Sequence, residues 1–210
     1  MENISNLIYD TFKEKFPNAK CELKFSSNFE LLICVILSAQ CTDRRVNMVA
    51  QELFKKYPTA FQLSKANISD VEEIVKPCGF FHNKAKNIIE TSKILVEKFD
   101  GDVPKDFSML LSLPGVGQKT ANVLTSVGFG GDAFAVDTHV FRVSRRLGIA
   151  KGKNPSQVEE ELKKYFSKDK WSETHHLFVL YGRYFCKARK PECSDCKLKE
   201  NCLYYRKNKN

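Results

Sequence analysis

The sequence has 210 residues, of which 42% are hydrophobic, and its 34 Lys and Arg against 25 Asp and Glu give a formal net charge of +9. A chain of this length can bury the core of one domain or of two small ones without covalent staples. No apolar run is long enough to cross a membrane, and the N-terminal segment lacks the pattern of a secretory signal, so we expect a cytoplasmic protein with no membrane partner.

Apolar residues recur at spacings of three and four along nearly the whole chain, and strict alternation is rare, which predicts an all-α fold. Ser69 followed by Glu72 predicts a capping box. Asn154 followed by Pro155 predicts another helix start. Asp137 precedes a further amphipathic segment and is interpreted first as its N-cap.

The stretch "LSLPGVGQKTANVL", residues 111–124, predicts two helices joined by a turn at 114–117. Glycines in such a turn let another backbone approach closely, and the N–H groups at the start of the second helix suit a phosphate. An ordinary helical corner has the same pattern. Lys119 favours a functional site over an ordinary corner. A cation in the first turn of a helix is disfavoured by about 0.3–1 kcal/mol, and violations of this kind tend to mark functional sites.

Eight cysteines divide into a scattered set and a dense set. The dense set has the spacing Cys186-x6-Cys193-x2-Cys196-x5-Cys202, which can wrap a tetrahedral zinc ion or a cubane iron–sulfur cluster. Zinc ribbons more often have two Cys-x2-Cys knuckles, and the single one here favours iron–sulfur. Cys34, in the scattered set, lies in an apolar helical run and is predicted to be a buried, small hydrophobic residue.

Four segments and the cysteine loop carry a resemblance. They are "LSAQCTD" at 37–43, "LPGVGQKTANVL" at 113–124, "VDTHVFRVSRRLG" at 136–148, "YGRYFC" at 181–186, and the cysteines at 186–202. Their order and distances are those of endonuclease III, so the sequence resembles that family of helix-hairpin-helix DNA glycosylases over nearly its whole length.

The resemblance implies two helical lobes flanking a DNA-binding cleft. A six-helix lobe with the hairpin would span residues 22–132. Residues 1–21 and 133–210 would form a second, four-helix lobe, with a [4Fe-4S] cluster held by the loop 186–202. The glycines of "GFGG" at 128–131 interrupt the helices near the expected seam.

The resemblance also implies the chemistry. Lys119 matches the catalytic lysine, which attacks the sugar of a flipped nucleotide, forms a Schiff base and nicks the strand by β-elimination. Asp137 matches the catalytic aspartate. The implied cluster ligands are Cys186, Cys193, Cys196 and Cys202.

Six positions are predicted to contact DNA: Gln40, Phe80, Gly115, Val116, Gly117 and His139. By resemblance, Gln40 fills the gap left by the flipped nucleotide, although it could instead cap its helix. Phe80 stands where some members have a leucine wedge, and its alternative is a place in the core. For His139 the alternative is a structural hydrogen bond. Lys84 and Lys86 are predicted either to bind the DNA backbone or to be solvated.

The expected partner is double-stranded DNA with a damaged pyrimidine or an abasic site. No obligate protein partner is expected, so we predict a monomer in the cytoplasm, associated with the nucleoid. The alternatives are a monofunctional uracil, thymine-mismatch or adenine glycosylase of the same fold, a non-catalytic iron–sulfur DNA-binding module, and a zinc protein without DNA. Lys119 favours the lyase over the other glycosylases, and Lys119 together with Asp137 favours it over the binding module. A zinc protein without DNA would leave the hairpin glycines and the basic tail unexplained.

Overall fold

The computed structural model describes residues 2–131 and 134–208. These residues contain helices and no strand, which confirms the all-α prediction. The helices are α1 (Glu2–Lys15), α2 (Asn28–Leu37), α3 (Asp43–Lys56), α4 (Ala60–Leu63), α5 (Ile68–Val75), α6 (Phe81–Phe99), α7 (Phe107–Leu111), α8 (Gln118–Val123), α9 (Thr138–Leu147), α10 (Pro155–Tyr165), α11 (Trp171–Leu180) and α12 (Leu203–Lys207). Across the described ranges, no helix has the length and apolar character needed to span a bilayer.

Two helices continue into π-helical segments, and three short 3₁₀ turns lie between helices. The π segments are Leu124–Gly128 after α8 and Tyr181–Phe185 after α11, and the 3₁₀ turns are Lys76–Cys78, Lys168–Lys170 and Lys199–Asn201. The π segments are notable because such segments are frequent at functional sites. One follows the predicted hairpin directly, and the other ends one residue before Cys186.

The chain folds into two compact units, Glu22–Gly131 and Met1–Cys21 with Asp132–Asn210. In the first unit, α2 is the central helix, and seven of its ten residues are buried. Cys34 is one of them, with no exposed surface, as predicted. The leucine and isoleucine side chains of α2 that have no exposed surface each contribute about 1.5–3 kcal/mol to the stability of the fold, relative to an exposed side chain. This helix therefore anchors the unit that carries the hairpin.

The second unit is built on aromatic packing between α1 and the chain that leads to the cysteine loop. The ring of Phe12 stacks on that of Tyr181, with centroids 3.9 Å apart, and meets the edge of Phe178 at 4.9 Å. Phe12 and Phe178 have no exposed surface. The N-terminal helix therefore completes the core of the unit that otherwise comes from the C-terminal part of the chain.

Local capping agrees with the sequence at two of three positions. Asn154 caps α10 by accepting a hydrogen bond from the Gln157 N–H, at 3.0 Å. Asp137 caps α9. The predicted Ser69 capping box is wrong, because α5 begins at Ile68 and the Asn67 side chain accepts the Ser69 N–H at 2.9 Å. Ser69 is therefore a residue of the first helical turn, and Asn67 takes the capping role that the spacing of Ser69 and Glu72 had predicted for Ser69.

Candidate functional site

The hairpin turn between α7 and α8 is fixed by internal contacts in the Glu22–Gly131 unit. The Thr91 hydroxyl on α6 donates a hydrogen bond to the Pro114 carbonyl oxygen at 2.9 Å. The Val116 side chain is buried in the core, and its N–H donates to the Leu113 carbonyl oxygen at 3.1 Å. The Val116 amide is thus used inside the turn, and a DNA contact through its main chain stays a prediction.

Gly115 and Gly117 serve different purposes in this turn. Gly115 has a φ of +77°, and a Cβ there would lie 3.0 Å from Asn87 Nδ2 and 3.1 Å from Ile36 Cγ2. Gly117 has an ordinary φ of −99°, and a Cβ there would meet nothing within 4 Å. Gly117 is also the N-cap of α8 and provides no capping side chain. The first N–H groups of α8 therefore lack a side-chain cap, the arrangement that an external anion can exploit.

Lys119 is the second residue of α8, as the sequence predicted, and its side chain is exposed. The helix N-terminus presents positive partial charge in the same turn. The arrangement places an amine beside uncapped N–H groups, where both can face the same anionic ligand.

Gln40 and Phe80 share an unusual backbone conformation. Within the described residues, the non-glycine positions with positive φ are Gln40, Phe80, Asp100 and Lys190. A left-handed conformation costs about 1–2 kcal/mol for a residue with a side chain, and such strain clusters at functional sites. Phe80 is 65% exposed, which excludes the core alternative. Ser38 caps the end of α2, which excludes that role for Gln40.

Lys84 corrects the sequence prediction, because it is neither solvated nor available to DNA. Its side chain is 5% exposed, and Nζ donates a hydrogen bond to the Cys78 carbonyl oxygen at 2.8 Å. The bond joins the first turn of α6 to the segment just before Phe80. Lys84 therefore holds the turn that presents Phe80. Lys86 is exposed, and its DNA contact stays a prediction.

Asp137 is held in a fixed orientation at the start of α9. Its Oδ1 accepts hydrogen bonds from the N–H groups of His139 and Val140, both at 2.8 Å. The preceding residues 134–136 are buried, and His175 Nδ1 donates to the Ala135 carbonyl oxygen at 2.7 Å. Sequence reasoning missed His175, since a histidine within a helix carries no local signal of a bond to a residue 40 positions away.

His139 packs within the same unit. It is partly buried, its Nδ1 lies 3.2 Å from an Arg142 guanidinium nitrogen, and a Cβ on Gly182 would approach its own Cβ to 2.8 Å. Burial lowers the pKa of the imidazole below its usual value, so the neutral ring accepts the Arg142 hydrogen bond. These contacts give His139 a structural role, and its DNA contact stays a prediction.

Two arginines of α9 bind backbone carbonyl groups in the cysteine loop and in the π-helical segment just before it. Arg142 donates to the Gly182 carbonyl oxygen at 2.7 Å and to that of Cys186 at 3.3 Å. Arg146 donates to the carbonyl oxygens of Lys187 at 2.7 Å and Ala188 at 2.9 Å. The helix that begins with Asp137 therefore also fastens the start of the loop.

The four clustered cysteines line one pocket with about 400 Å³ of empty space, partly open to solvent. The thiols are those of Cys186, Cys193, Cys196 and Cys202. Arg146 donates to the Cys186 sulfur at 3.4 Å, and the Tyr181 hydroxyl lies 3.2 Å from the Cys196 sulfur. Nowhere in residues 2–131 and 134–208 do three or more Cys, His, Asp or Glu side chains form a group placed for a single metal ion. The role of these four side chains as metal ligands stays a prediction.

Comparison with known proteins gives concordant matches. Residues 33–168 match the HhH-GPD superfamily of base excision DNA repair proteins. The chain is 46% identical to endonuclease III of Rickettsia conorii over 202 residues, 96% of each chain. It is 47% identical to endonuclease III of Bacillus subtilis over 194 residues, 92% of this chain and 89% of the relative. A solved structure of a trapped endonuclease III–DNA covalent intermediate, an estranged-adenine complex, matches with a TM-score of 0.95 and 43% identity over 100% of this chain and 99% of that one.

The all-helical fold and its glycine hairpin are those of a helix-hairpin-helix protein of base excision repair. At this level of identity and coverage, the chain belongs to the endonuclease III family within that superfamily. The resemblance read from the sequence is confirmed.

Proposed function

We propose that this protein removes oxidised pyrimidines from duplex DNA and cleaves the resulting abasic site by β-elimination through a Schiff base on Lys119. The observation that carries the proposal is the exposed amine of Lys119 in the first turn of α8, next to the uncapped N–H groups after Gly117. The family assignment supports it, because a relative with the same fold was trapped as a covalent intermediate with DNA.

The reaction begins with the damaged nucleotide outside the base stack, since its glycosidic bond cannot be reached within the duplex. The neutral amine of Lys119 attacks C1′, the glycosidic bond breaks, and the base leaves with a proton. Opening of the sugar ring gives a protonated Schiff base between Nζ and C1′. The Schiff base acidifies C2′, and loss of a C2′ proton expels the 3′ phosphate and nicks the strand.

Asp137 assists as an oriented carboxylate. Its side chain is a carboxylate whose Oδ1 is held by two N–H groups of α9. In this form it accepts the proton that activates the Lys119 amine, or stabilises the cationic sugar. Because the hydrogen bonds of the cap hold the Asp137 carboxylate in place before substrate binds, this carboxylate does not have to reorient during the reaction.

DNA binding is assigned to the hairpin turn and to the two segments in which Gln40 and Phe80 have positive φ. The N–H groups of Gly115 and Gly117 and the first N–H groups of α8 take a DNA phosphate, as helix N-termini do. Phe80 enters the stack as an apolar wedge, and Gln40 fills the space of the flipped nucleotide. Both side chains are exposed, and both residues have a left-handed backbone conformation.

The cysteine pocket is assigned to a [4Fe-4S] cluster. Four thiols on one pocket with apolar walls fit such a cluster, since iron–sulfur clusters are held by four cysteine thiolates. Cys186, Cys193, Cys196 and Cys202 would hold it, and Arg146 would neutralise charge at the Cys186 sulfur. When bound, the cluster cross-links the loop and supplies a redox-active centre.

The proposed substrate is double-stranded DNA with a damaged pyrimidine or an abasic site, bound by a monomer in the cytoplasm that associates with the nucleoid. The formal charge of +9 supports the assignment, because neutralising DNA phosphates releases counterions and gives salt-dependent affinity.

The decisive test is borohydride trapping on two duplexes, one with thymine glycol and one with an abasic site. Wild-type protein and a Lys55→Gln control, which changes an exposed lysine in the last turn of α3, are expected to form adducts on both. Lys119→Gln should form neither adduct while still binding DNA. Adducts that persist in Lys119→Gln would exclude this nucleophile. Base release without any adduct in the wild type would indicate a monofunctional glycosylase.

A further inference from the structure

Two of the cysteines outside the loop, Cys41 and Cys78, meet in the Glu22–Gly131 unit. Cys41 directly precedes Thr42, the N-cap of α3, and Cys78 ends the 3₁₀ turn that follows α5. Helix α3 packs against that turn, Cys78 is buried in the apolar core of the unit, and Cys41 packs against the same core. The Cys41 side chain is close enough to Cys78 to interact with its thiol. Contact between two thiols is the starting geometry for a disulfide.

The two thiols differ in access to solvent. Cys41 is partly exposed, whereas Cys78 is 2% exposed. Burial raises the pKa of the Cys78 thiol to about 12, and the neighbouring Cys41 thiol adds to this increase. A reagent in solution therefore meets Cys41 first, and Cys78 is placed to react only with its neighbour.

The pair joins the two loops that carry the proposed DNA-inserting side chains. Cys41 directly follows Gln40, and Cys78 lies two residues before Phe80. The segment around Cys78 is already held by the Lys84 bond to its carbonyl oxygen. A covalent link would tie the Gln40 loop to this anchored segment and limit the adjustment of both loops around a distorted duplex.

We propose that Cys41 and Cys78 form a thiol modification site, which a low-molecular-weight disulfide such as oxidised glutathione converts into an intramolecular disulfide that weakens DNA binding. The effect on DNA binding rests on the proposed function, whereas formation of the link does not.

The chemistry is a two-step thiol–disulfide exchange. The Cys41 thiolate attacks one sulfur of oxidised glutathione, that S–S bond breaks, and one glutathione thiolate leaves. The Cys78 sulfur then attacks the Cys41 sulfur of the mixed disulfide and expels the second glutathione thiolate. The protein dithiol is oxidised by two electrons, oxidised glutathione is reduced to two thiols, and the two protein thiol protons end on them.

Formation of the link is tested on the full chain by equilibration in glutathione buffers, alkylation of the remaining thiols, digestion and mass spectrometry. The expected product links the Cys41 and Cys78 peptides, with fragmentation separating Cys41 from Cys34 on the same tryptic peptide. Cys21→Ser is the matched control and should keep the link. Cys41→Ser should lose it. A Cys41 mixed disulfide that never resolves, or an unmodified pair, would overturn the proposal.

The effect on DNA is measured by binding to a duplex with a stable abasic-site analogue, with the iron content checked before and after oxidation. Oxidised wild type should bind about fivefold or more weakly than reduced, a coupling in the usual range between two sites, and dithiothreitol should restore binding. Cys41→Ser should bind equally in both buffers. Equal affinity of linked and reduced protein would overturn the regulatory effect. Absence of DNA binding by the reduced protein would instead refute the proposed function. In that case mass spectrometry would still show whether Cys41 and Cys78 form a disulfide.

Because Cys78 is buried, its substitution can unfold the unit. Cys41→Ser, at a partly exposed position, is therefore the primary variant, and Cys78→Ala is a second one, accepted only when its circular dichroism matches that of the wild type. A folded Cys78→Ala protein should stop at the Cys41 mixed disulfide with glutathione. Resistance of Cys41 to glutathione in this variant would contradict its role as the attacking thiol.

Discussion

The Arg146 guanidinium donates hydrogen bonds to both the carbonyl oxygen and the sulfur of Cys186, at 3.3 and 3.4 Å. Arg146 lies in the last turn of α9, and Asp137 caps the first turn of the same helix. One ten-residue helix thus carries the proposed catalytic carboxylate at one end and fastens the cysteine loop at the other. Integrity of the loop and orientation of the carboxylate are expected to depend on each other.

Arg146→Gln is expected to lower the free energy of unfolding by about 1.5–3 kcal/mol, the usual contribution of a hydrogen bond from a charged group. The loop carbonyl groups would lose their charged donor, so iron retention should fall as well. Urea denaturation and the iron content per chain measure the two effects.

Arg189→Gln is the matched control, because Arg189 is exposed in the same loop. It removes the same charge and should leave stability and iron content unchanged. Equal losses in both variants would mean that the net charge of the loop, not the Arg146 contacts, holds the cluster.

Asp137 has a capping role and a proposed chemical role, which two substitutions can separate. Asn is as good an N-cap as Asp, so Asp137→Asn should keep the free energy of unfolding within about 0.5 kcal/mol of the wild type. Without the carboxylate, strand nicking should fall by about 100-fold to 10,000-fold, as for loss of a general base.

Asp137→Ala completes the comparison. It should lose the nicking activity and, in addition, about 0.5–2 kcal/mol of stability from the missing cap. Thermal denaturation and nicking rates on an abasic duplex test both variants. If Asp137→Asn nicked DNA at the wild-type rate, the role of Asp137 would be limited to capping α9.

The hairpin glycines provide another matched pair. Gly117→Ser should fold normally, because φ at this position is ordinary, a Cβ meets nothing, and serine is a favoured N-cap. Its hydroxyl would accept an N–H of α8 that a phosphate otherwise takes, so affinity for duplex DNA should fall by about tenfold, the equivalent of one hydrogen bond to a charged group.

Gly115→Ser should instead destabilise the fold by about 1–2 kcal/mol through its positive φ alone, with further loss from the Asn87 contact. Fluorescence anisotropy with a labelled duplex and urea denaturation distinguish the two. Unchanged DNA binding by a stable Gly117→Ser protein would contradict the phosphate contact.

Local patterns predicted the features that depend on neighbouring residues. The turn at 114–117, the position of Lys119 in a first turn and the Asp137 cap are each set within a few positions of sequence, by glycine geometry and by the unpaired N–H groups of a helix start. The grouping of four cysteines on one pocket is local for the same reason, since short loops keep them together.

Features set by bonds to backbone carbonyl groups, or by the backbone conformation itself, were not predictable. The burial of Lys84 depends on the Cys78 carbonyl group, which lies in the turn between α5 and α6 and carries no side-chain signal. Arg146 on α9 binds carbonyl groups more than 40 positions later in the chain, and no local pattern signals those bonds. The left-handed backbone of Phe80 was equally hidden, because aromatic residues rarely adopt it.

The pH dependence of stability follows from His176, whose pKa burial and the neighbouring His175 lower to about 3. An unfolded histidine titrates near 6.5, so at pH values between about 3 and 6.5 the unfolded chain binds a proton that the folded protein does not. Stability contributed by neutral His176 is therefore present above pH 6.5 and lost as the pH falls, by at most about 1.4 kcal/mol per pH unit. His176→Gln cannot titrate, and carboxylates with lowered pKa act equally in both proteins. Urea titrations at pH 7 and pH 4 measure the free energy of unfolding of the wild type and of His176→Gln. The value for the wild type minus that for the variant should fall on acidification. A constant difference would show that His176 is not kept neutral in the folded protein.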